Sequence, residues 1–191
     1  MERLTKQHFR LKYKNLRSSL SIEQFNYDCK QINKHINTIA TGNVHQFLPI
    51  KEKNEVNIWP TIKQLQNSNE VLGTSIFDSA TDHVNHVEIL KTANFITGDY
   101  NIPVPTKFNP ISLNVFDTII IPLLCYDKKG NRIGYGKGIY DRILEKCNVN
   151  CKKIGVSLFA AEQQIPSNEH DIKLDFCITP NKVIKFKGLN P

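Results

Sequence analysis

The stretch from Asp117 to Cys147, DTIIIPLLCYDKKGNRIGYGKGIYDRILEKC, limits what this chain can fold into more than any other. Thr118 to Tyr126 is an apolar, β-branched run of strand length without helical period, which predicts a buried strand. Asp127-Lys128-Lys129-Gly130-Asn131 has turn chemistry, because glycine and asparagine tolerate a positive φ that strains other residues. Gly134, Gly136 and Gly138 follow at alternate positions, and Ile139 to Leu144 then carries apolar side chains at helical spacing. A strand, a glycine loop and a helix start in this order present backbone N–H groups to an anion. The unpaired amides and macrodipole of the first helical turn add to that attraction. With Lys137 inside the loop and Arg132 on its approach, the stretch reads as a phosphate cradle; a glycine-rich connection is the plainer alternative. It is not a Walker loop, since Gly-x4-Gly-Lys-Ser/Thr is absent, and its spacing departs from the GxGxxG of dinucleotide-binding folds.

The chain before this stretch opens with two predicted helices. Leu4 to Leu20 carries Lys6, Arg10, Lys14 and Arg17 along one face. Ser21 with Glu23 and Gln24 signals the start of the second helix, Ile22 to Ile39. Asn43 to Ile50 is a strand candidate, Lys51 to Asn57 a polar loop, and Ile58 to Gln66 a helix with Pro60 in its first turn. Val71 to Phe77 and Val84 to Leu90 look like paired strands around the turn-prone Asp78 to Asp82. His83 and His86 lack a third metal ligand and would face opposite sides of a strand, so they read as structural. After the glycine stretch, Lys153 to Leu158 and Phe176 to Thr179 read as strands, and the tail beyond Lys182 as short and basic. Alternating strands and helices predict an α/β fold: a three-layer α/β/α, Rossmann-like domain with a mostly parallel sheet, spanning residues 1–191 as a single domain. Ligands of such sheets gather at the carboxyl ends of the strands, where the glycine loop would sit.

At 191 residues the chain is long enough for a substantial core. No apolar run approaches the roughly 20 residues of a membrane span. The opening MERLTKQHFRLKYK lacks the apolar centre of a signal peptide, and five scattered cysteines suit a reducing compartment, so a cytoplasmic protein without membrane association is expected. The formal charge of +7 favours anionic partners. Its basic residues are dispersed and no nucleic-acid-binding signature is present, so a small-molecule phosphate site is preferred to nucleic acid.

GNRIGYGKGIYDR resembles the signature of the 5-formyltetrahydrofolate cyclo-ligase family, which reads close to G-x-R-x-G-x-G-x-G-Tyr-Tyr-Asp; Ile139 replaces the first tyrosine. Further segments match in order. Lys6 and Arg10 match a Lys-x3-Arg pair, and Glu55-Val56-Asn57 is similar to Glu-[Val/Ile]-x-Thr, with asparagine for threonine. Ile102-Pro103-Val104-Pro105 matches an Ile-Pro-x-Pro linker, and His170-Asp171 through Asp175 matches a His-Asp-x-x-x-Asp pattern. The resemblance implies ATP- and Mg²⁺-dependent closure of 5-formyltetrahydrofolate, possessing or lacking a polyglutamate tail, to 5,10-methenyltetrahydrofolate by a monomer. It implies that ATP is held by Lys6, Arg10, Arg132, Gly134, Tyr135, Gly136, Lys137, Gly138, Ile139 and Tyr140. Of these, Lys6, Arg10, Arg132, Lys137 and Tyr140 would serve catalysis. It further implies that Phe47, Leu48, Glu55, Tyr135, Ile139 and Tyr140 contact the folate, and that Asp141 and Asp171 hold Mg²⁺. A module that keeps the fold and binds nucleotide or nucleic acid without chemistry is the second reading, left open by Ile139 and Asn57.

Overall fold

The computed structural model describes residues 4–81, 83–169 and 171–186. Helix α1 is Lys6–Ser18, N-capped by Thr5, whose hydroxyl accepts from His8 N–H at 3.2 Å. Helix α2 is Ile22–Ile39, as the Ser21 signal predicts, and the Ser21 hydroxyl accepts from Gln24 N–H at 3.1 Å. Then come β1 (Val44–Gln46), α3 (Trp59–Gln66), β2 (Leu72–Asp78), β3 (His83–Ile89), β4 (Phe95–Thr97), β5 (Pro103–Pro105) and β6 (Phe108–Pro110). The last third holds β7 (Thr118–Pro122), β8 (Cys125–Tyr126), β9 (Arg132–Ile133), α4 (Ile139–Lys146), β10 (Lys152–Val156), β11 (Phe176–Ile178) and β12 (Val183–Lys185).

Eight strands form one mixed, mostly parallel sheet in the order β12-β11-β10-β7-β1-β2-β3-β6. Strands β11, β10, β7, β1 and β2 run parallel, and β12 and β3 are antiparallel to their inner neighbours. Such a sheet needs apolar cover on both faces, and the alternation within β7 supplies it. Ile120 points with Ile154, Ile178 and Val44 into a core closed by Ile32 and Ile36 of α2 and Ile62 of α3. Ile119 and Ile121 point the other way, into a core with Ile143 and Leu144 of α4. The result is three layers, in agreement with the α/β expectation. On the α4 face of β10, Gly155 leaves room for Leu123 and Leu174, whose methyl carbons would lie 2.6 and 2.7 Å from an added Cβ.

Three expectations are corrected. Thr118 to Tyr126 is not one strand: it leaves the sheet after Pro122, and Cys125–Tyr126 pairs antiparallel with Arg132–Ile133 as a separate hairpin. The predicted turn closes this hairpin, with Gly130 at φ +80° and the buried Asp127 carboxylate accepting from Lys129 N–H, Asn131 N–H and Asn131 Nδ2. The strand at Asn43 to Ile50 shrinks to Val44–Gln46. The basic tail is in part the edge strand β12, paired with β11. The remainder of that tail, residues 187–191, lies outside the described residues, as do Asp82 and His170.

The order of the sheet places a crevice. After β1 the chain moves to β2 on one side; after β7 it moves to β10 on the other. The carboxyl ends of β1 and β7 are therefore a topological switch point, where connections diverge and leave an opening.

Candidate active site

A cleft occupies that switch point, with Phe47 and Leu48 following β1 and Pro122 ending β7 in its floor. Its remaining walls come from α1, the loop 50–55, the end of β2, the turn 100–102, the glycine loop, the start of α4 and Asp171. Every residue that the sequence pointed to for nucleotide, folate or metal lines it: Lys6, Arg10, Phe47, Leu48, Glu55, Arg132, Gly134 through Asp141, and Asp171. These positions are spread over most of the chain, and the fold brings them together.

The glycine loop joins the hairpin to α4 through two glycines of positive φ. The hairpin β8–β9 delivers the chain to Gly134, and α4 begins after Gly138, whose φ of +65° turns the backbone into the helix. No side chain caps α4, so its first-turn amides are left without a side-chain partner. Gly136 stands at φ +98° beneath Arg10, and a Cβ there would lie 2.9 Å from the Arg10 Cζ. Arg10 is drawn onto the loop by its Nε, which donates to Gly134 O at 3.1 Å. Around Gly134 and Gly138 an added Cβ would meet nothing within 4 Å, so the loop faces open space there. Lys137 leans to the far wall, its Nζ 3.1 Å from the centroid of the Tyr100 ring and 5.5 Å from that of Phe77.

Cations and carboxylates alternate along the opposite rim. Lys6 Nζ pairs with Asp171 Oδ2 at 2.6 Å. Arg132, with only 7% of its side chain exposed, pairs through Nη2 with Asp141 and donates through Nη1 to Ile172 O. Burial pulls the Arg132 guanidinium down from its ordinary value, while Asp141 and Asp171 pull it back; both carboxylates therefore act on one buried cation. Burial also works to raise the Asp171 carboxyl, but the Lys6 hydrogen bond, the Asn168 N–H and the charges of Lys6 and Arg132 outweigh it and hold the group below the usual carboxylate range.

The other end of the cleft is apolar with one buried acid. Glu55 is 6% exposed, although it comes from a Lys-rich loop. Its Oε2 accepts from Ile50 N–H at 2.8 Å. Burial pushes its carboxyl up, against the opposing pull of the Ile50 N–H, Arg17, Tyr135 and Lys53. Arg17 is a residue that the sequence reading missed as part of the site. It lies buried in the last turn of α1, donating from Nη1 to the Tyr135 hydroxyl at 2.7 Å and from Nη2 to Leu123 O at 2.5 Å. The Tyr135 hydroxyl thus sits between a guanidinium and the Glu55 carboxylate, and burial raises its phenol. Tyr140 is likewise raised by burial, so both phenols stay protonated at neutral pH. Lys53, Thr74, Ser75, Phe77, Tyr100 and Ile102 also line the cleft without having been singled out. The basic stripe of α1 was the available signal for Arg17: it lies seven residues after Arg10, on the same face.

The model of the 5-formyltetrahydrofolate cyclo-ligase family matches residues 3–180. The chain belongs to this family. Among curated relatives, a 5-formyltetrahydrofolate cyclo-ligase of Mycoplasma genitalium is 32% identical over 136 residues, 71% of each chain. The mouse 5-formyltetrahydrofolate cyclo-ligase is 43% identical over 70 residues, a stretch spanning 34% of this chain and 34% of that protein. Two solved structures share the fold. The NMR structure of Aquifex aeolicus 5,10-methenyltetrahydrofolate synthetase has a TM-score of 0.81 at 22% identity, covering 98% of this chain and 96% of the other. The corresponding synthetase from Mycoplasma pneumoniae has a TM-score of 0.72 at 23% identity, covering 93% and 99%. Among the described residues, no helix is long and apolar enough to cross a membrane.

Proposed function

We propose that this chain uses ATP and Mg²⁺ to convert 5-formyltetrahydrofolate to 5,10-methenyltetrahydrofolate, releasing ADP and phosphate. The observation that carries the reading is that one cleft joins a cation-lined glycine turn to an apolar end holding a buried carboxylate, in a member of this family. A triphosphate suits the first half and a reduced pterin the second. The N5-formyl group is an amide whose oxygen leaves poorly, so the reaction needs that oxygen phosphorylated before N10 can close the ring.

The work of the protein is then placement and charge stabilisation. Arg10, Arg132 and Lys6 border the glycine turn with the amides of α4 and would take the phosphate oxygens. Lys137 would leave the Tyr100 face to join them. Glu55, fixed by Ile50 N–H and by Tyr135, offers an acceptor to the donor-rich edge of the pterin. Phe47 and Leu48 supply its apolar floor, with Ile139 and Tyr140 across from them. Ile139 keeps apolar contact where relatives have a tyrosine, and Tyr140 remains as the hydroxyl of the pair.

The donor set fits Mg²⁺. Asp141 and Asp171 are hard oxygen ligands that both act on Arg132, and an ion bound to phosphates takes only one or two carboxylates. When bound, the ion would neutralise charge on the transferring phosphoryl group. In exchange, Lys6 and Arg132 would give up their carboxylate partners to the ion and turn to the phosphates. The test is a turnover assay on the purified chain. Methenyl absorbance should rise only when 5-formyltetrahydrofolate, ATP and Mg²⁺ are all present, and nucleotide binding without turnover would reject the reading.

A further inference from the structure

One polar cluster beside the cleft has no part in the scheme above. His45 lies in the central strand β1 with 0% exposure, and its Nε2 is 2.8 Å from Ser75 Oγ. On the other side of the same hydroxyl, His86 Nδ1 is 2.9 Å away. The three residues come from adjacent strands β1, β2 and β3, and the Phe116 ring of the α4-side core packs edge-on against His45. Ser75 reaches the cleft. The β1–β2 register pairs His45 with Gly73; Ser75 lies two residues further toward the carboxyl end of β2 and lines the same cleft as Phe47 and Leu48.

His45 Nδ1 is buried without a hydrogen-bond partner among the described residues. The two imidazoles share one hydroxyl, so His45 donating from Nε2 leaves the Ser75 proton free for His86 Nδ1. Ser75 can then turn its own proton to His86 Nδ1 and keep a lone pair for the cleft. Of the two imidazoles, His86 is the better base. Burial and the neighbouring His86 push His45 down to about 3, whereas His86 is half-buried and less perturbed, by burial and by Lys146 of α4. The groups acting on His86 are thus His45 from β1, Ser75 from β2 and Lys146 from α4.

We propose that Ser75 and His86 form the proton exit for ring closure. This rests on the folate reading above. The N10 lone pair makes the new bond to the formyl carbon, and the electrons of the carbon–oxygen bond leave with phosphate. The N10 proton passes to Ser75 Oγ as the Ser75 proton passes to His86 Nδ1, and the half-buried imidazolium returns it to water. Phosphoryl transfer needs neither residue.

The test is single-turnover formation of the methenyl product by wild type, Ser75→Ala and His86→Gln, with thermal melts to establish folding. Both variants should slow product formation by about 100-fold or more, the scale of general-base loss, with the KM for folate little changed. The wild-type rate should fall on acidification as His86 takes up a proton, and His86→Gln should lack that limb. Added imidazole should restore part of the rate to His86→Gly. Wild-type rates and an unaltered acid limb in His86→Gln overturn the proposal, and this arm decides alone if Ser75→Ala fails to fold. Absence of turnover by the wild-type chain strikes at the folate reading itself; turnover matched by the variants strikes only at the proton path.

Discussion

Gly136→Ala probes the glycine turn at its tightest point. Gly136 has φ +98°, and a Cβ would lie 2.9 Å from Arg10 Cζ and 3.0 Å from Nη2. Holding an L-residue in the left-handed region costs about 1–2 kcal/mol. The clash falls on the end of a flexible side chain, so the guanidinium moves and the backbone stays. Arg10 Nε then releases Gly134 O, a hydrogen bond whose net contribution is about 1 kcal/mol. The sum is about 2–3 kcal/mol of stability, or about 4–12 °C in Tm for a chain of this size. On the proposed reading, moving Arg10 would also remove a charge-assisted contact to the phosphates, about 1.5–3 kcal/mol, which is roughly a ten- to hundredfold loss in kcat/KM for ATP. Two neighbours separate the contributions. Gly138→Ala carries the strain of φ +65° with nothing within 4 Å to strike, so its melting loss should be about 1–2 kcal/mol, without the part due to Arg10. Gly134→Ala has neither the positive φ nor a contact within 4 Å, and its fold should be unaffected. Thermal melts and initial rates at varied ATP read both quantities. Equal melting losses for Gly134→Ala and Gly136→Ala, or an unchanged kcat/KM for ATP in Gly136→Ala, would refute the reasoning.

Other perturbations follow from the same geometry. Arg17→Ala leaves Leu123 O and the Tyr135–Glu55 pair without their buried cation, and should cost about 2–4 kcal/mol in chemical denaturation. Glu55→Gln should be more stable than wild type at pH 7 while losing folate affinity. Its carboxyl titrates above the unfolded value because burial disfavours the charge, so the folded state binds the proton more tightly and wild-type stability declines as pH rises through the raised value. The advantage of the glutamine should therefore shrink as pH falls toward the ordinary carboxylate range, and melts at pH 4 and pH 7 check the sign. Lys6→Ala breaks only a partly exposed pair with Asp171 and should change stability by less than about 1 kcal/mol, yet lower kcat/KM for ATP by roughly tenfold or more.

Local signals in the sequence translated well into structure. Ser21 caps α2 where its pattern predicts, and the Asp127 to Asn131 turn forms as written, because both depend on hydrogen bonds to neighbours within four residues. The candidate site was legible as a set of motifs, and the fold gathers their residues into one cleft. What was hidden depends on distant partners. The run after Pro122 stays apolar whether it continues the sheet or turns out to pair with Arg132–Ile133, so composition could not mark the break. The guanidinium of Arg17 looks solvated in a helical stripe until Leu123 and Tyr135, more than a hundred residues later, arrive beside it. Ser75 and His86 lie in strands that carry no motif, and only the β1–β2–β3 pairing sets His45 and His86 around the Ser75 hydroxyl. β12 was read as a charged tail because three residues are too few to display alternation.

The most direct measurement follows the formyl oxygen. If the cleft hands a phosphoryl group to that oxygen, 5-formyltetrahydrofolate labelled there with ¹⁸O must transfer the label to the inorganic phosphate released with the methenyl product. Mass spectrometry or ³¹P NMR of the phosphate should find one ¹⁸O per turnover. Unlabelled phosphate, with the ¹⁸O recovered in water, would mean that ATP is hydrolysed beside the folate and does not activate it.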